Sequence, residues 1–240
     1  MKVRSLLLSI LSLVGCEKCA LPPPPAAPAV STVTGGADAE TGIVRYLALG
    51  DSLSQGIGAP NPDTGSFPAL LAEKWRAQGC KVELKNPAVA GYTADEIIRE
   101  ELPELAAFKP TVITFQVGAN DIANGVPIET FRANVKTILD AAKQSGARVI
   151  TMPQNEWFRS PQGPNYGTGL AGKRAAFDAV LKEETTVRAA EFIDLGLLFR
   201  QHADKKMWSA DDGIHPTAEA YVAWATELAR VLPPPCTKKK

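Results

Sequence analysis

From Ile43 onward, short apolar runs bounded by turn residues alternate with segments long enough for helices, and this alternation restricts the chain to one architecture. The strand candidates are Ile43–Leu49, Val82–Lys85, Thr111–Val117, Arg148–Met152 and Glu191–Asp194. The helix candidates are Phe67–Gln78, Ala94–Phe108, Ile128–Gln144, Leu170–Ala190 and Pro216–Val231. Local signals support the boundaries. Thr93 and Glu96 have capping-box spacing, and Gly146 follows the third helix as a stop. Pro216 stands where a first helical residue is expected, and Pro103 should kink or split the second helix. Strand alternating with helix implies an α/β fold with a parallel sheet covered on both faces. Ligands in such sheets bind beyond the carboxyl ends of the strands, so functional residues are expected directly after strands. The chain shows no internal repeat.

Hydrophobic residues make up 45% of the 240 positions, which suits one domain with a sizeable core. Basic and acidic residues balance at 26 each, so no net basic charge points to a nucleic-acid partner. There are two histidines, His202 and His215. Any histidine base must be one of them, and a three-histidine metal site is excluded.

The N-terminus stands apart. Lys2 and Arg4 precede a short apolar run, Ser5 to Val14, too short to span a bilayer as a stable helix. This reads as a secretory signal peptide. Its end, Leu13-Val14-Gly15-Cys16, resembles the bacterial lipobox, which implies cleavage before Cys16 and lipidation of that cysteine. An ordinary secretory signal cut nearby is the alternative. Loss of Lys2 and Arg4 would leave the mature chain slightly acidic. Cys16 and Cys19 also have Cys-x-x-Cys spacing, but no strand or helix positions them and no second pair follows. Four prolines, Pro22–Pro25, open a stretch rich in Ala, Pro, Gly, Ser and Thr that cannot join a core. The expected organisation is a lipoprotein-type signal peptide over 1–15, a tether over 16–41, one folded domain over 42–236 and a basic tail over 237–240.

Chemistry-bearing residues do follow the strands. Gly50-Asp51-Ser52-Leu53-Ser54 comes directly after the first. A serine at a strand-to-helix turn is exposed at the active edge, but it needs an adjacent base to act as a nucleophile. Asp51-Ser52 taken alone could equally be a helix cap. His215, in Asp211-Asp212-Gly213-Ile214-His215-Pro216, supplies a base, and Asp212 three residues earlier can orient it. Asp211 is the fallback for that role. Gly91, in Asn86–Thr93, follows the second strand, and Asn120, in Gly118–Asp121, the third. The N–H groups of Ser52 and Gly91 and the Asn120 amide could together serve an oxyanion.

These four blocks, in this order, resemble the SGNH (GDSL) hydrolase family over Gly50 to Pro216. The resemblance implies a flavodoxin-like three-layer sandwich with a five-stranded parallel sheet. It implies Ser52 as nucleophile, His215 as base, Asp212 as orienting acid, and an oxyanion hole of Ser52, Gly91 and Asn120. The reaction it implies is two-step ester hydrolysis through an acyl-enzyme, of esterase, lipase or lysophospholipase type, without metal or cofactor. A carbohydrate O-acetyl esterase and a non-catalytic envelope-binding lipoprotein are the alternatives. The expected partners are a small-molecule, lipid or polysaccharide ester and a membrane reached through the lipid anchor, with the chain a monomer in the bacterial envelope. Glu17 after Cys16 resembles outer-membrane sorting. In a flavodoxin-like sheet, the first and last helices share a face and end at the edge opposite the site. Cys80 and Cys236 follow those helices, so the expected disulfide joins them, leaving Cys19 unpaired or intermolecular; two separate thiols are the alternative.

Two further segments compete for attention. Gly167-Thr168-Gly169-Leu170-Ala171-Gly172 matches Gly-x-Gly-x-x-Gly, but no strand feeds it directly, so a hinge before a helix is the better reading. The loop Pro153–Gly169 carries Trp157, Phe158, Arg159 and Tyr166. It is expected either to line the substrate pocket or to pack its aromatics onto the domain. His202 is expected at the surface, and Asp121 and Asp211 as supports for their turns.

Overall fold

Strand β1, Ile43–Leu49, lies inside the sheet with a strand on either side, and its last four residues are all buried. In this computed structural model, residues 37, 38 and 41–236 are described. Cys16, Cys19, the signal segment and the Lys238–Lys240 tail lie outside them. β1 is followed by α1 (Ser52–Gln55), α2 (Pro62–Gly65), α3 (Phe67–Ala77) and β2 (Lys81–Lys85). Next come α4 (Ala94–Glu96), a π-turn (Ile97–Glu101), α5 (Glu104–Phe108), β3 (Val112–Phe115) and α6 (Ala119–Ala123). The chain continues through α7 (Ile128–Gln144), β4 (Arg148–Thr151), α8 (Leu170–Val187), β5 (Glu191–Phe192), α9 (Gly196–Asp204) and α10 (Ala218–Val231).

The five strands pair in parallel, in the order β2-β1-β3-β4-β5. Because side chains alternate along a strand, β1 feeds two cores. Val44, Tyr46 and Ala48 join α3, α9 and α10 on one face, where Phe67 stacks on Trp224 at 4.3 Å. Leu47 and Leu49 join the π-turn, α7 and α8 on the other. The chain leaves β1 towards β2 on one side and returns at β3 on the other. That reversal opens a crevice at the carboxyl ends of β1 and β3.

The expected fold class is observed, with local differences. The segment Ala94–Phe108 is not one helix: it passes through the π-turn and restarts after Pro103. Pro216 does not begin α10. Thr217 caps that helix by accepting the Ala220 N–H at 3.3 Å, while Pro216 forms an antiparallel bridge with Trp208. Helix α9 went unexpected, and it carries His202 inward to 9% exposure, against Phe199, rather than to the surface. Ala37 and Asp38, assigned to the tether, are tied to the domain: the Ala37 N–H bonds Pro235 O and Asp38 pairs with Arg45.

Cys80, after α3, is disulfide-bonded to Cys236, after α10, across a separation of 156 residues. A cross-link closing so long a loop restricts the unfolded chain and contributes about 2–5 kcal/mol. Reduction, or a Cys80→Ala/Cys236→Ala variant, should lower the melting temperature by roughly 10 °C in scanning calorimetry. An unchanged transition would mean that the link contributes nothing in solution.

Candidate active site

The turn after β1 is built around a missing side chain. A Cβ on Gly50 would lie 2.8 Å from the Gln116 carbonyl oxygen and collide with Ser54, so only glycine fits. The next residue, Asp51, caps α1 by accepting the Leu53 N–H at 3.0 Å. Ser52 is then the first helical residue, 8% exposed, with its Oγ at the mouth of the crevice.

The loop after α9 brings the other end of the chain to this point. Asp212 Oδ1 accepts the backbone N–H groups of Ile214 and His215, which winds Asp212–His215 into one turn. Asp212 Oδ2 is 2.6 Å from His215 Nδ1, and His215 Nε2 is 2.8 Å from Ser52 Oγ. Burial pushes the Asp212 carboxyl up, but hydrogen bonds from His215 and Ile214 outweigh it and hold the group below its ordinary value. An ionised carboxylate only accepts, so Nδ1 carries the proton and Nε2 is free to accept from the Ser52 hydroxyl. Ser209 N–H fastens the loop by donating to His215 O at 2.7 Å. Asp211 takes no part in the dyad; its N–H donates to Ser209 Oγ.

The two remaining strand ends close the site. Gly91 has φ 91°, a left-handed backbone open to glycine, in a turn pinned by the Ala90 N–H to Gln55 Oε1 at 2.7 Å. Asn86 Nδ2 donates to Ser54 O at 2.7 Å and ties the same loop to α1. Asn120 Nδ2 donates to Tyr92 O at 2.9 Å and lies 3.5 Å from Asp51 Oδ2, which fixes the amide beside the serine. Asp121 supports the neighbouring turn by accepting the Ala94 N–H.

Ser52, Gly91, Asn120 and His215 all face one cavity of about 230 Å³. Leu53, Ala90, Ala119, Ala123, Trp157 and Ile214 give it apolar walls. The loop after β4 divides. Trp157 and Tyr166 line the cavity and meet edge-on at 5.8 Å. Phe158 packs against the apolar layer, and Arg159 turns away to Asp204 at 2.6 Å. Arg174 of α8, braced by Asp178 one turn on at 2.9 Å, holds this loop through Glu156 at 3.4 Å. Gly169 caps α8 after a short 3-10 turn, which makes the glycine-rich stretch a helix entry.

Sequence reasoning passed over Gln55, Asn155 and Glu101. Asn155 lines the cavity with a buried carboxamide that meets no hydrogen-bond partner among the described residues. Neither its position nor the approach of Gln55 to the second loop has a local signal, because both depend on contacts between distant segments. Among the described residues, no group of three or more His, Cys, Asp or Glu is arranged to hold a metal, and no helix is long and apolar enough to cross a membrane.

The arrangement can move a proton from a serine hydroxyl to an imidazole backed by a carboxylate, beside N–H donors aimed at one cavity. Comparison with known proteins agrees with this chemistry. Residues 48–223 match the model of the GDSL-like Lipase/Acylhydrolase family. The chain is 31% identical to an arylesterase of Vibrio mimicus, over 77% of this chain and 85% of that protein. It is 29% identical to "Thioesterase 1/protease 1/lysophospholipase L1" of Escherichia coli K12, over 78% and 83%. The crystal structure of TesA superposes with a TM-score of 0.66 at 25% identity, covering 79% of this chain and 98% of that one. Axe2, an acetylxylan esterase from Geobacillus stearothermophilus, shares the fold at a TM-score of 0.66 and 16% identity, over 82% and 97%.

Proposed function

The chain belongs to the GDSL-like lipase/acylhydrolase family, and from that premise we propose that it cleaves esters through an acyl-enzyme on Ser52. It is a carboxylic ester hydrolase. The observation that carries the mechanism is the continuous line from Asp212 through His215 to Ser52, with both contacts at hydrogen-bond length. Ser52 Oγ attacks the ester carbonyl while His215 Nε2 takes its proton. The developing oxyanion is held by the N–H groups of Ser52 and Gly91 and by Asn120 Nδ2. His215 returns the proton to the leaving alcohol, and a water activated by the same imidazole releases the acid.

The substrate we infer is an ester with a short acyl or aryl group. At about 230 Å³ the cavity falls below the range of sites that enclose drug-sized ligands, and its walls are apolar. Purified protein should cleave p-nitrophenyl acetate and butyrate faster than the dodecanoate. A rate rising steadily with chain length would overturn the short-acyl reading. Trp157→Ala removes a wall and should shift the C8-to-C2 ratio of kcat/KM by about tenfold towards the longer ester. An equal loss on both esters would assign Trp157 to packing alone.

One observation favours a bulky alcohol side. A groove beyond the Asp212–Gly213 turn is lined by Trp208, Gln162 and Lys206, groups suited to a sugar ring. Acetylated sugars therefore belong beside the p-nitrophenyl series. We also propose that the mature protein is a monomer anchored by a lipid on Cys16 in the bacterial envelope, on the strength of the Leu13-Val14-Gly15-Cys16 motif. Metabolic labelling with a fatty-acid probe, lost in Cys16→Ser, tests the anchor, and size-exclusion chromatography of the soluble domain tests the monomer.

A further inference from the structure

Beneath the nucleophile turn lies a carboxyl that the hydrolytic mechanism leaves unused. Glu101 is completely buried, at 0% exposure. It ends the π-turn Ile97–Glu101, in which the Leu102 N–H reaches back to Ile97 O at 3.1 Å. The extra residue of a π-turn rotates the chain out of α-helical phase, and such turns recur at functional sites. In this segment Arg99 and Glu100 are exposed, while Glu101 points inward on the same side as Ala94 and Ile97. Its Oε2 accepts the Gly50 N–H at 2.9 Å, across 51 residues of chain. Its Oε1 is buried and meets no hydrogen-bond partner among the described residues.

Gly50 begins the turn that presents the Ser52 hydroxyl and N–H, while the π-turn follows the loop that presents Gly91. The Glu101–Gly50 bond therefore joins two of the three strand ends that would hold an oxyanion. A charged carboxylate fits this place poorly. It would leave one oxygen unpaired in the interior, beside Asp51, under the position where negative charge develops in the reaction.

We propose that Glu101 is a positioning residue for the hydrolytic site that works as the neutral acid, locking Gly50 and keeping negative charge away from the oxyanion hole. This rests on the acyl-enzyme reading of Ser52. Burial and the neighbouring Asp51 both favour the neutral form, and together they outweigh the Gly50 N–H and raise the Glu101 carboxyl to about 8. Burial likewise raises Asp51 to about 7, with Asp121 adding to the rise, and Asp121 itself lies at about 6, with Glu96 and Asp95 nearby. The folded state thus holds the Glu101 proton more tightly than the unfolded chain, whose value is the ordinary 4.5. Its contribution to stability must fall as pH rises from about 4.5 towards 8.

The test compares wild type, Glu101→Gln and Glu101→Ala on p-nitrophenyl acetate from pH 6 to 9.5, with melting curves at each pH. Wild-type kcat should fall about tenfold between pH 8 and 9 or slightly above, as one proton is lost. Glu101→Gln, neutral at every pH, should keep wild-type kcat at pH 7, lack that fall, and melt above wild type at pH 9. Glu101→Ala should lose about tenfold or more in kcat at pH 7 with KM unchanged, since misplacing the reacting groups costs rate rather than binding. Any of these results would overturn the proposal: Glu101→Gln as slow as Glu101→Ala at pH 7, identical alkaline limbs in wild type and Glu101→Gln, or full activity in Glu101→Ala. A limb moving to lower pH in Glu101→Gln would overturn it too, by assigning the sensitive proton to Asp51. If the wild type neither turns over the ester nor labels with a fluorophosphonate, the acyl-enzyme reading itself fails, and this role with it. Activity in wild type with unaffected Glu101 variants removes only the role.

Discussion

Ser52→Ala should lower kcat/KM on p-nitrophenyl acetate by about 10,000-fold or more, and His215→Ala should do nearly the same. The reason is geometric. Ser52 Oγ and His215 Nε2 are 2.8 Å apart, and a serine hydroxyl is a poor nucleophile until a base takes its proton. The two groups act as one unit, so the double variant should be no slower than the worse single one. Initial rates on matched preparations, with near-UV circular dichroism to show native packing, are the measurement. A residual rate within about tenfold of wild type in Ser52→Ala would end the reading of Ser52 as nucleophile.

Asp212→Asn should cost about 10,000-fold in kcat, whereas Asp211→Asn should stay within about twofold of wild type. Asp212 Oδ2 accepts a hydrogen bond from His215 Nδ1–H at 2.6 Å, and its other oxygen accepts the Ile214 and His215 N–H groups. An amide can keep the shape of that turn but can present N–H to the ring. The imidazole would then settle with its proton on Nε2, facing Ser52, and could not accept one. No such dependence attaches to Asp211, which contributes only a backbone N–H to Ser209 Oγ. Equal losses in the two variants would mean that the loop, not one carboxylate, sustains the rate.

Much of this molecule is legible from its one-dimensional pattern, for a definable reason. The inner strands β1, β3 and β4 are short, largely apolar runs with turn residues at their ends, and a strand buried on both faces can hardly be written otherwise; the edge strands β2 and β5 are more polar. The four blocks that meet at the cavity each follow a strand, so they announce themselves by local order alone. The misreadings come where local and tertiary preferences part. Pro216 has the chemistry of a helix start, yet it bridges to Trp208, and the helix begins at Ala218 behind the Thr217 cap. His202 is polar and follows an exposed residue, yet α9 turns it onto Phe199. Arg159 sits in an aromatic loop beside the site, but the nearest carboxylate, on Asp204, draws it away.

The sequence by itself determined the fold class, the reaction type and the identities of Ser52, Gly91, Asn120, Asp212 and His215 as candidates, because each rests on short-range pattern and residue chemistry. The tertiary structure alone decided that Asp212, not Asp211, meets the imidazole, that Trp157 and Tyr166 rather than Phe158 and Arg159 wall the cavity, and that Glu101 lies beneath Gly50. The Glu101–Gly50 contact spans 51 residues of chain, and the Ser52–His215 contact that the Asp212 turn serves spans 163. They are set by how two apolar layers close over a twisted sheet, and no local stretch of the chain carries that information.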